Sequence, residues 1–455
     1  MKRLGGVHAP HRKNTAASKP EQLPIPSEIV LPMSMHIGAP AKPVVKVGDE
    51  VKVGQLIGEP GGFVSSPVYT GVSGKVKAID SFMTLVGQKT TAVTITADGL
   101  QTMFEGLSPP TVTNLEEFLS AIKNSGVVGL GGAGFPTAVK LTVKDLNQID
   151  CIIINGAECE PYITSDTRTL LDETDDIIGG IQLLKTYMKT KKIVVAIEAN
   201  KPQALAKMKK AVAAIDGVDV ATLPSIYPQG GEKVLIYSIT GRSVPEGKLP
   251  LDVGVVVLNV TTLAAVNQYI TTGMPLVKKC LTIDGSAVKS PKNVIAPIGT
   301  PIRDVFEFCG GLINAEKILF GGPMMGISVP DTSMPVFKNT NAALAFNKAD
   351  AAIPEPVSCI RCGRCVDHCP LHLMPLNIET AFNLKKPEML ETLKANLCME
   401  CGCCAYICPA KRPLVQVMKL SKIMLREYQD KKKADAEKAK AKLEKQKEEG
   451  EVSGL

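Results

Sequence analysis

No tryptophan occurs among the 455 residues, and only 4% of them are aromatic. A protein that reads nucleic acid by base stacking needs aromatic platforms, so no nucleic-acid partner is expected. Long apolar runs are also missing. No stretch of about 18 apolar residues occurs, and no membrane-spanning helix is expected. The first residues, Met1-Lys2-Arg3-Leu4-Gly5-Gly6, lack the apolar core of a secretory signal. Acidic residues are absent from positions 1–19, which carry Lys2, Arg3, Arg12, Lys13 and Lys19. Residues 1–30 therefore read as a basic extended arm, either solvated or lying on an anionic lipid surface or an acidic partner.

Cysteine is what the chain has in excess. Nine of its 13 cysteines lie between Cys359 and Cys408, and the others are Cys151, Cys159, Cys280 and Cys309. Structural disulfides would be spread more evenly and would accompany a secretory signal. The cluster is read instead as thiolate metal ligands in a reducing compartment. With 45% hydrophobic and 21% charged residues, the chain can bury real cores. Its length implies about three or four domains of roughly 100–200 residues each.

The expected fold class is multidomain α/β and α+β. Residues 31–100 alternate β-branched residues with glycine turns, as in Val44–Gly58, Gly74–Ile79 and Ala92–Ile95, which predicts a small β module. It resembles the barrel-sandwich fold of biotinyl and lipoyl carriers. The hairpin that would carry their modified lysine, Gly58–Ser66, has no lysine, so the module is expected to be a structural relative rather than a carrier. Residues 113–250 alternate strands and helices: a helix over Asn114–Lys123 capped by Thr113 or Asn114, a strand at Cys151–Ile154, a helix over Thr174–Lys189, a strand at Ile193–Ile197 and a helix over Pro202–Ile215. That order implies a mainly parallel sheet. Residues 251–335, with Val255–Leu258, Leu281–Gly285 and a helix at Pro301–Cys309, suit a β-grasp (SLBB-like) module. The cysteine region, 345–425, is expected to be helical. The tail, 426–455, is expected to be an exposed helix or disordered, because Arg426–Glu451 mixes nine basic with eight acidic residues.

Two runs share the spacing C-x2-C-x2-C-x3-C-P: Cys359, Cys362, Cys365, Cys369-Pro370 and Cys398, Cys401, Cys404, Cys408-Pro409. Three cysteines at this spacing wrap one corner of a cubane. The fourth is expected to open a helix that points away and so to reach the neighbouring cluster. One [4Fe–4S] cluster would then take Cys359, Cys362, Cys365 and Cys408, and the other Cys398, Cys401, Cys404 and Cys369. Cys403 falls outside the spacing and reads as a spectator. His368 and His372 read as surface or supporting residues, since eight thiolates complete both clusters. Two structural zinc sites are the competing reading.

Residues 126–140 read Gly-Val-Val-Gly129-Leu-Gly131-Gly132-Ala-Gly134-Phe135-Pro136-Thr-Ala-Val-Lys140. Exposed amides of such a loop can hold phosphate, although the loop follows no clear strand and is not the ordinary Rossmann fingerprint. The strand at Ile152–Ile154 ends in Asn155-Gly-Ala-Glu158-Cys159-Glu160-Pro161, where ligands of open α/β sheets sit. Taken alone, Glu158 and Glu160 read as surface charges, and one of them could instead be a ribose or amide acceptor. The loop is similar to Gly-x-Gly-Gly-Ala-Gly-Phe-Pro-Thr-Gly-x-Lys of the flavin-bearing NADH subunit of respiratory complex I. Asn155–Pro161, Tyr227–Leu235 and Asn259-Val-Thr-Thr262 are similar to further motifs of that family. The β module, Gly5-Gly6-Val7-His8 and the duplicated cysteine run resemble more closely the C subunits of Rnf ion-translocating electron-transport complexes.

That resemblance implies a Rossmann-like domain that binds FMN and NADH. Gly129, Gly131, Gly132, Gly134 and Phe135 would line the nucleotide site. Lys140 would meet the FMN phosphate, Asn155, Glu158 and Asn259 would hold FMN, and Glu160 and Glu232 would face NADH. Leu130, Ala157, Gly231 and Leu258 depart from the complex I pattern. The implied activity is hydride exchange between NADH and FMN, then one-electron transfer through two [4Fe–4S] clusters, in either direction and with no catalytic side chain. The implied setting is peripheral, on the cytoplasmic side of the inner membrane. The partners would be the other proteins of the complex and, through them, ferredoxin. A flavin subunit of a soluble electron-bifurcating complex and a non-catalytic cluster scaffold are the alternatives.

Overall fold

The computed structural model describes residues 4–452, with side chains to residue 440. Lys2, Arg3 and the last residues of the charged tail lie outside the described residues or side chains. Two compact units divide the chain, one from His8 to Ala352 and the other formed by residues 4–7 with those from Ile353 onward.

The first part of the larger unit is a sandwich of two antiparallel sheets. One orders its strands Glu28–Pro32, Lys89–Ala97, Gly74–Met83 and Glu50–Val51, and the other Lys42–Pro43, Leu56–Glu59 and Val68–Tyr69. Alternation along these strands turns Ile29, Leu31, Ile57, Val93 and Ile95 inward, and none of them keeps any exposure. A helix at Leu115–Asn124 follows. Its N-cap is Asn114, whose side chain accepts the Glu117 N–H, while Glu117 reaches back to the Thr113 N–H.

A four-stranded sheet comes next, ordered Val218–Leu223, Ile193–Glu198, Cys151–Gly156 and Val255–Asn259, with every neighbouring pair parallel. Cys151–Gly156, Ile193–Glu198 and Val255–Asn259 are buried on both faces, as parallel sheets covered by helices require, whereas the edge strand Val218–Leu223 is buried only at its ends. Val255–Asn259 was expected in the β-grasp module. It belongs here because its continuous apolar run fits only a strand covered on both sides.

The β-grasp module has a six-stranded sheet whose order is Glu21–Gln22, Lys292–Pro297, Lys278–Asp284, Ala342–Asn347, Ala315–Phe320 and Ile327–Ser328. Its helix, Ile302–Phe308, is bounded by Pro301 and Cys309. The sheet extends past the expected 251–335 limits, since Ala342–Asn347 pairs parallel with Lys278–Asp284.

The sheet also recruits the N-terminal segment, which corrects the expectation of a solvated arm from His8 onward. Glu21 and Gln22 pair with Val294 and Ile295. Thr15 is buried, its hydroxyl 2.6 Å from that of Thr164, and Asn293 donates to the Thr15 carbonyl at 3.0 Å. The Lys13 ammonium is enclosed and donates to the carbonyls of Glu158 (2.8 Å), Glu160 (2.9 Å) and Ile163 (2.6 Å). Three convergent carbonyls repay the desolvation of one cation, and composition alone cannot reveal such an acceptor set.

In the smaller unit, Pro375–Asn383 and Pro387–Thr392 pack on the long C-terminal helix Leu414–Val452 around Ile378, Leu390, Met418 and Leu425. Arg412 forms a two-pronged ion pair with the buried Glu379, at 2.9 Å and 2.8 Å. The tail is thus helical, and its described side chains beyond Gln429 are exposed. Among the described residues, no helix is long and apolar enough to cross a membrane.

Lys13→Met leaves three enclosed carbonyls without their donor and is expected to cost about 2–4 kcal/mol. Thermal unfolding of the full chain should record this as a lower midpoint. A loss under about 0.5 kcal/mol, as for an ordinary surface substitution, would restore the solvated arm.

Candidate functional site

In the parallel sheet, the strand earliest in sequence, Cys151–Gly156, lies between Ile193–Glu198 and Val255–Asn259. The winding direction reverses between the first strand and Val255–Asn259, which opens a crevice at their carboxyl ends. Register pairs Asn155 with Asn259 at that point. The Asn155 Oδ1 accepts the Ala157 N–H (3.1 Å), and its Nδ2 donates to the Gly230 carbonyl (3.0 Å). Asn259 caps the helix Val260–Thr272: Oδ1 accepts the Thr262 N–H (3.1 Å) and Nδ2 donates to Asp166 Oδ2 (2.7 Å). Thr261 donates to the other Asp166 oxygen at 2.7 Å. Asp166 escaped the sequence reading because nothing local marks a carboxylate that orients a residue 93 positions away.

The glycine loop stands over this crevice. A bridge between Val128 and Pro136 and a bond from Gly129 N–H to the Phe135 carbonyl (2.9 Å) close its base. Leu130 is buried in the core, and its N–H donates to the Thr262 hydroxyl (2.9 Å). Gly131 touches Asn259 so closely that a Cβ would lie 2.3 Å from Nδ2. Gly134 adopts φ +73°, wedged between His36 and Asn339. The loop carbonyls are fastened backward. Asn339 Nδ2 donates to Gly132 O (2.9 Å), and the Ile37 N–H donates to Gly134 O (3.1 Å). No described residue accepts the N–H groups of Gly131, Gly132 or Ala133, while the Gly134 N–H closes the turn over residues 130–133. Such a run of free backbone donors suits an anionic ligand.

Other candidates are already engaged with protein. Glu158 was expected at the flavin. Its carboxylate accepts the Asp166 N–H (2.6 Å) and the Thr167 hydroxyl (2.5 Å), capping the helix Ser165–Asp172. Burial pushes its pKa up, and Lys13 opposes the shift. Glu160 was expected to face NADH. It accepts the N–H groups of Met324 (3.0 Å) and Met325 (2.8 Å), and a Cβ on Gly322 would lie 2.1 Å from its Oε2. Lys140 and Glu232 come together as an ion pair at 2.8 Å, with Lys140 also donating to the Val257 carbonyl (3.0 Å). The Cys159 thiol accepts the Gly230 N–H at 3.3 Å, and burial pushes it up to about 12.

In the smaller unit, the cysteines line two cavities. One is bordered by Cys359, Cys362, Cys365 and Cys408, and the other by Cys369, Cys398, Cys401 and Cys404. Of the cysteines at the repeated spacing, each thus takes three from one run and the fourth from the other. The two runs share one backbone path, with left-handed residues at Arg361 and Glu400, Gly363 and Gly402, and His372 and Lys411. N–H groups point at sulfur from Arg361 to Cys359 (3.4 Å), Glu400 to Cys398 (3.3 Å) and Leu373 to Cys369 (3.3 Å). The fourth cysteine does not open a helix as expected. The one-turn helices Arg364–Asp367 and Cys403–Tyr406 hold the third cysteine, and the fourth follows them. Cys403, expected to be a spectator, is buried and borders the second cavity. His368 Nδ1 meets the Arg364 carbonyl at 2.9 Å, and His372 is exposed.

Burial raises the Glu160 carboxyl to about 7 from 4.5. The folded protein therefore holds a proton that the unfolded chain releases between those values, and its stability falls as pH rises through that window. Melting temperatures measured from pH 4.5 to 7.5 should show this decline in the parent, and Glu160→Gln should flatten it. Parallel profiles for the two proteins would remove Glu160 as its source.

Family models match four segments: the RnfC barrel sandwich hybrid domain at residues 1–100, the Nuo51 FMN-binding domain at 122–268, the SLBB domain at 281–328 and a 4Fe-4S dicluster domain at 358–411. The C subunit of the Na+-translocating ferredoxin:NAD+ oxidoreductase complex of Acetobacterium woodii is 43% identical over 92% of this chain and 96% of its own. Its counterpart in the proton-translocating complex of Clostridium ljungdahlii is 44% identical over 82% of each. The counterpart in the ion-translocating oxidoreductase complex of Pseudomonas aeruginosa is 39% identical over 94% of this chain and 56% of its own. A solved NAD+-reducing [NiFe]-hydrogenase aligns over 70% of this chain and 64% of its own, at 19% identity and a TM-score of 0.49. With such identity to these relatives over nearly its whole length, the chain belongs to the C-subunit family of the Rnf ion-translocating oxidoreductase complexes.

Proposed function

We propose that this chain is the peripheral, NAD(H)-facing subunit of a membrane-bound ferredoxin:NAD+ oxidoreductase, carrying FMN and two [4Fe–4S] clusters on the cytoplasmic side. The observation that carries the reading is the exchange of the fourth cysteine between the two cavities. Two clusters placed in this way relay single electrons and do no bond chemistry of their own.

Bound FMN supplies the conversion between hydride chemistry and one-electron transfer. The free N–H groups of Gly131, Gly132 and Ala133 hold the anionic part of the dinucleotide, and Phe135 lies against a ring. Lys140, already beside Glu232, offers its remaining proton to a phosphate. Asn155 and Asn259 hold the floor of the crevice, with Asn259 kept in place by Asp166. Glu158 and Glu160 act through the turn they brace. Hydride transfer needs no side-chain acid or base, so the protein's part is to bind, to orient and to exclude water. Electrons pass in either direction, and the ion is moved by partner proteins of the complex.

Purified, cluster-reconstituted protein is expected to hold about eight irons and about eight acid-labile sulfides per chain. NADH should bleach the flavin of the FMN-loaded chain. Cys408→Ser should remove the cluster of the first run and Cys369→Ser that of the second, each lowering iron by about half. Zinc in place of iron would refute the clusters. A flavin that NADH does not bleach would leave a cluster scaffold.

A further inference from the structure

The glycine loop's free donors are arranged from outside the parallel sheet. The segment Val336–Thr340, which leads into the strand Ala342–Asn347, is buried except at Asn339. Lys338 anchors it. This lysine is 1% exposed, and its ammonium donates to the Ser66 hydroxyl (3.1 Å) and to the carbonyls of Pro67 (2.5 Å) and Gly126 (2.8 Å). Gly126 lies just before the loop and Pro67 in the β sandwich, so one cation ties three parts of the chain at the loop's foot. The neighbouring Asn339 then reaches the loop's tip. Its partner at Gly132 is a carbonyl, so the amide nitrogen must face it.

The C=O and N–H of one planar peptide point in opposite directions. Fixing the Gly132 carbonyl toward Asn339 therefore fixes the Ala133 N–H away from it. The Ile37 N–H, bound to the Gly134 carbonyl, does the same for the peptide after Gly134. Gly132 needs such a guide, because a Cβ placed there would meet nothing within 4 Å, so packing does not restrain that peptide.

We propose that Asn339 is a positioning residue for dinucleotide binding: its amide holds the Gly132 peptide so that the loop presents its N–H groups to the pyrophosphate. This rests on reading the loop as the dinucleotide site. Asn339 touches neither substrate nor cofactor and acts only through the orientation of that peptide.

The test uses the full, FMN-loaded and cluster-reconstituted chain, with ADP-ribose as an unreactive probe of the pyrophosphate site. Loss of one hydrogen bond predicts that Asn339→Ala raises the Kd for ADP-ribose about fivefold to tenfold. Asn339→Asp keeps the shape, but its carboxylate repels the Gly132 carbonyl, so it should weaken binding at least as much. With ferricyanide as acceptor, KM for NADH should rise in step while kcat, flavin and iron content stay at parental values. A packing role would make the isosteric Asp variant the milder one, and that ranking would overturn the proposal. Parental affinity in both variants would also overturn it, as would loss of flavin together with the melting temperature. Failure of the parent itself to bind ADP-ribose would sink the dinucleotide site and the proposal together. Parental binding that both variants retain would sink the proposal alone.

Discussion

The parallel pairing of Cys151–Gly156 with Val255–Asn259 is the constraint on which the larger unit's chemistry depends. It places Asn155 opposite Asn259 at the sheet's switch point. From there Asn155 holds the Gly230 turn, and Asn259 both caps its own helix and supports Gly131. A slip of Val255–Asn259 by one residue would turn the Asn259 side chain to the other face and leave the glycine loop without its floor.

The site is held largely by residues outside the flavin-binding segment. Lys13 fastens the turn from Glu158 to Ile163, and Ile37 and Asn339 orient the loop from two different β modules. The carbonyls of Gly132 and Gly134 are tied to these two modules. The flanking modules therefore do more than cover the sheet, because they fix the polarity of a loop whose glycines would otherwise leave it free to turn.

The smaller unit follows a different logic. Its two cysteine runs repeat one backbone path, and each path brings three of its repeated cysteines to its own cavity and one to the other, with Cys403 an additional neighbour of the second. Because each cavity depends on both runs, neither is complete without the other. Arg412, pinned on the buried Glu379, anchors the segment after Cys408, and the long helix beginning at Leu414 closes the core beneath.

Local spacing carried much of this protein. The cysteine interval, the glycine loop, the β-branched strands and the polar end of Cys151–Gly156 are readable because each depends on residues within a few positions of one another. Long-range partners were not readable. Lys13 looked like a solvated charge until three carbonyls some 150 residues away were seen to enclose it. Val255–Asn259 looked like part of the β-grasp module until its parallel register was known, and the donors that Glu158 and Glu160 accept, Thr167 and Met325 among them, lie outside their own segment. The sequence by itself determined which chemistry the chain can hold, since ligand spacing and glycine content are properties of short segments. Only the tertiary structure decided which side chains are free to use it, because burial and hydrogen-bond partnership arise when distant segments meet.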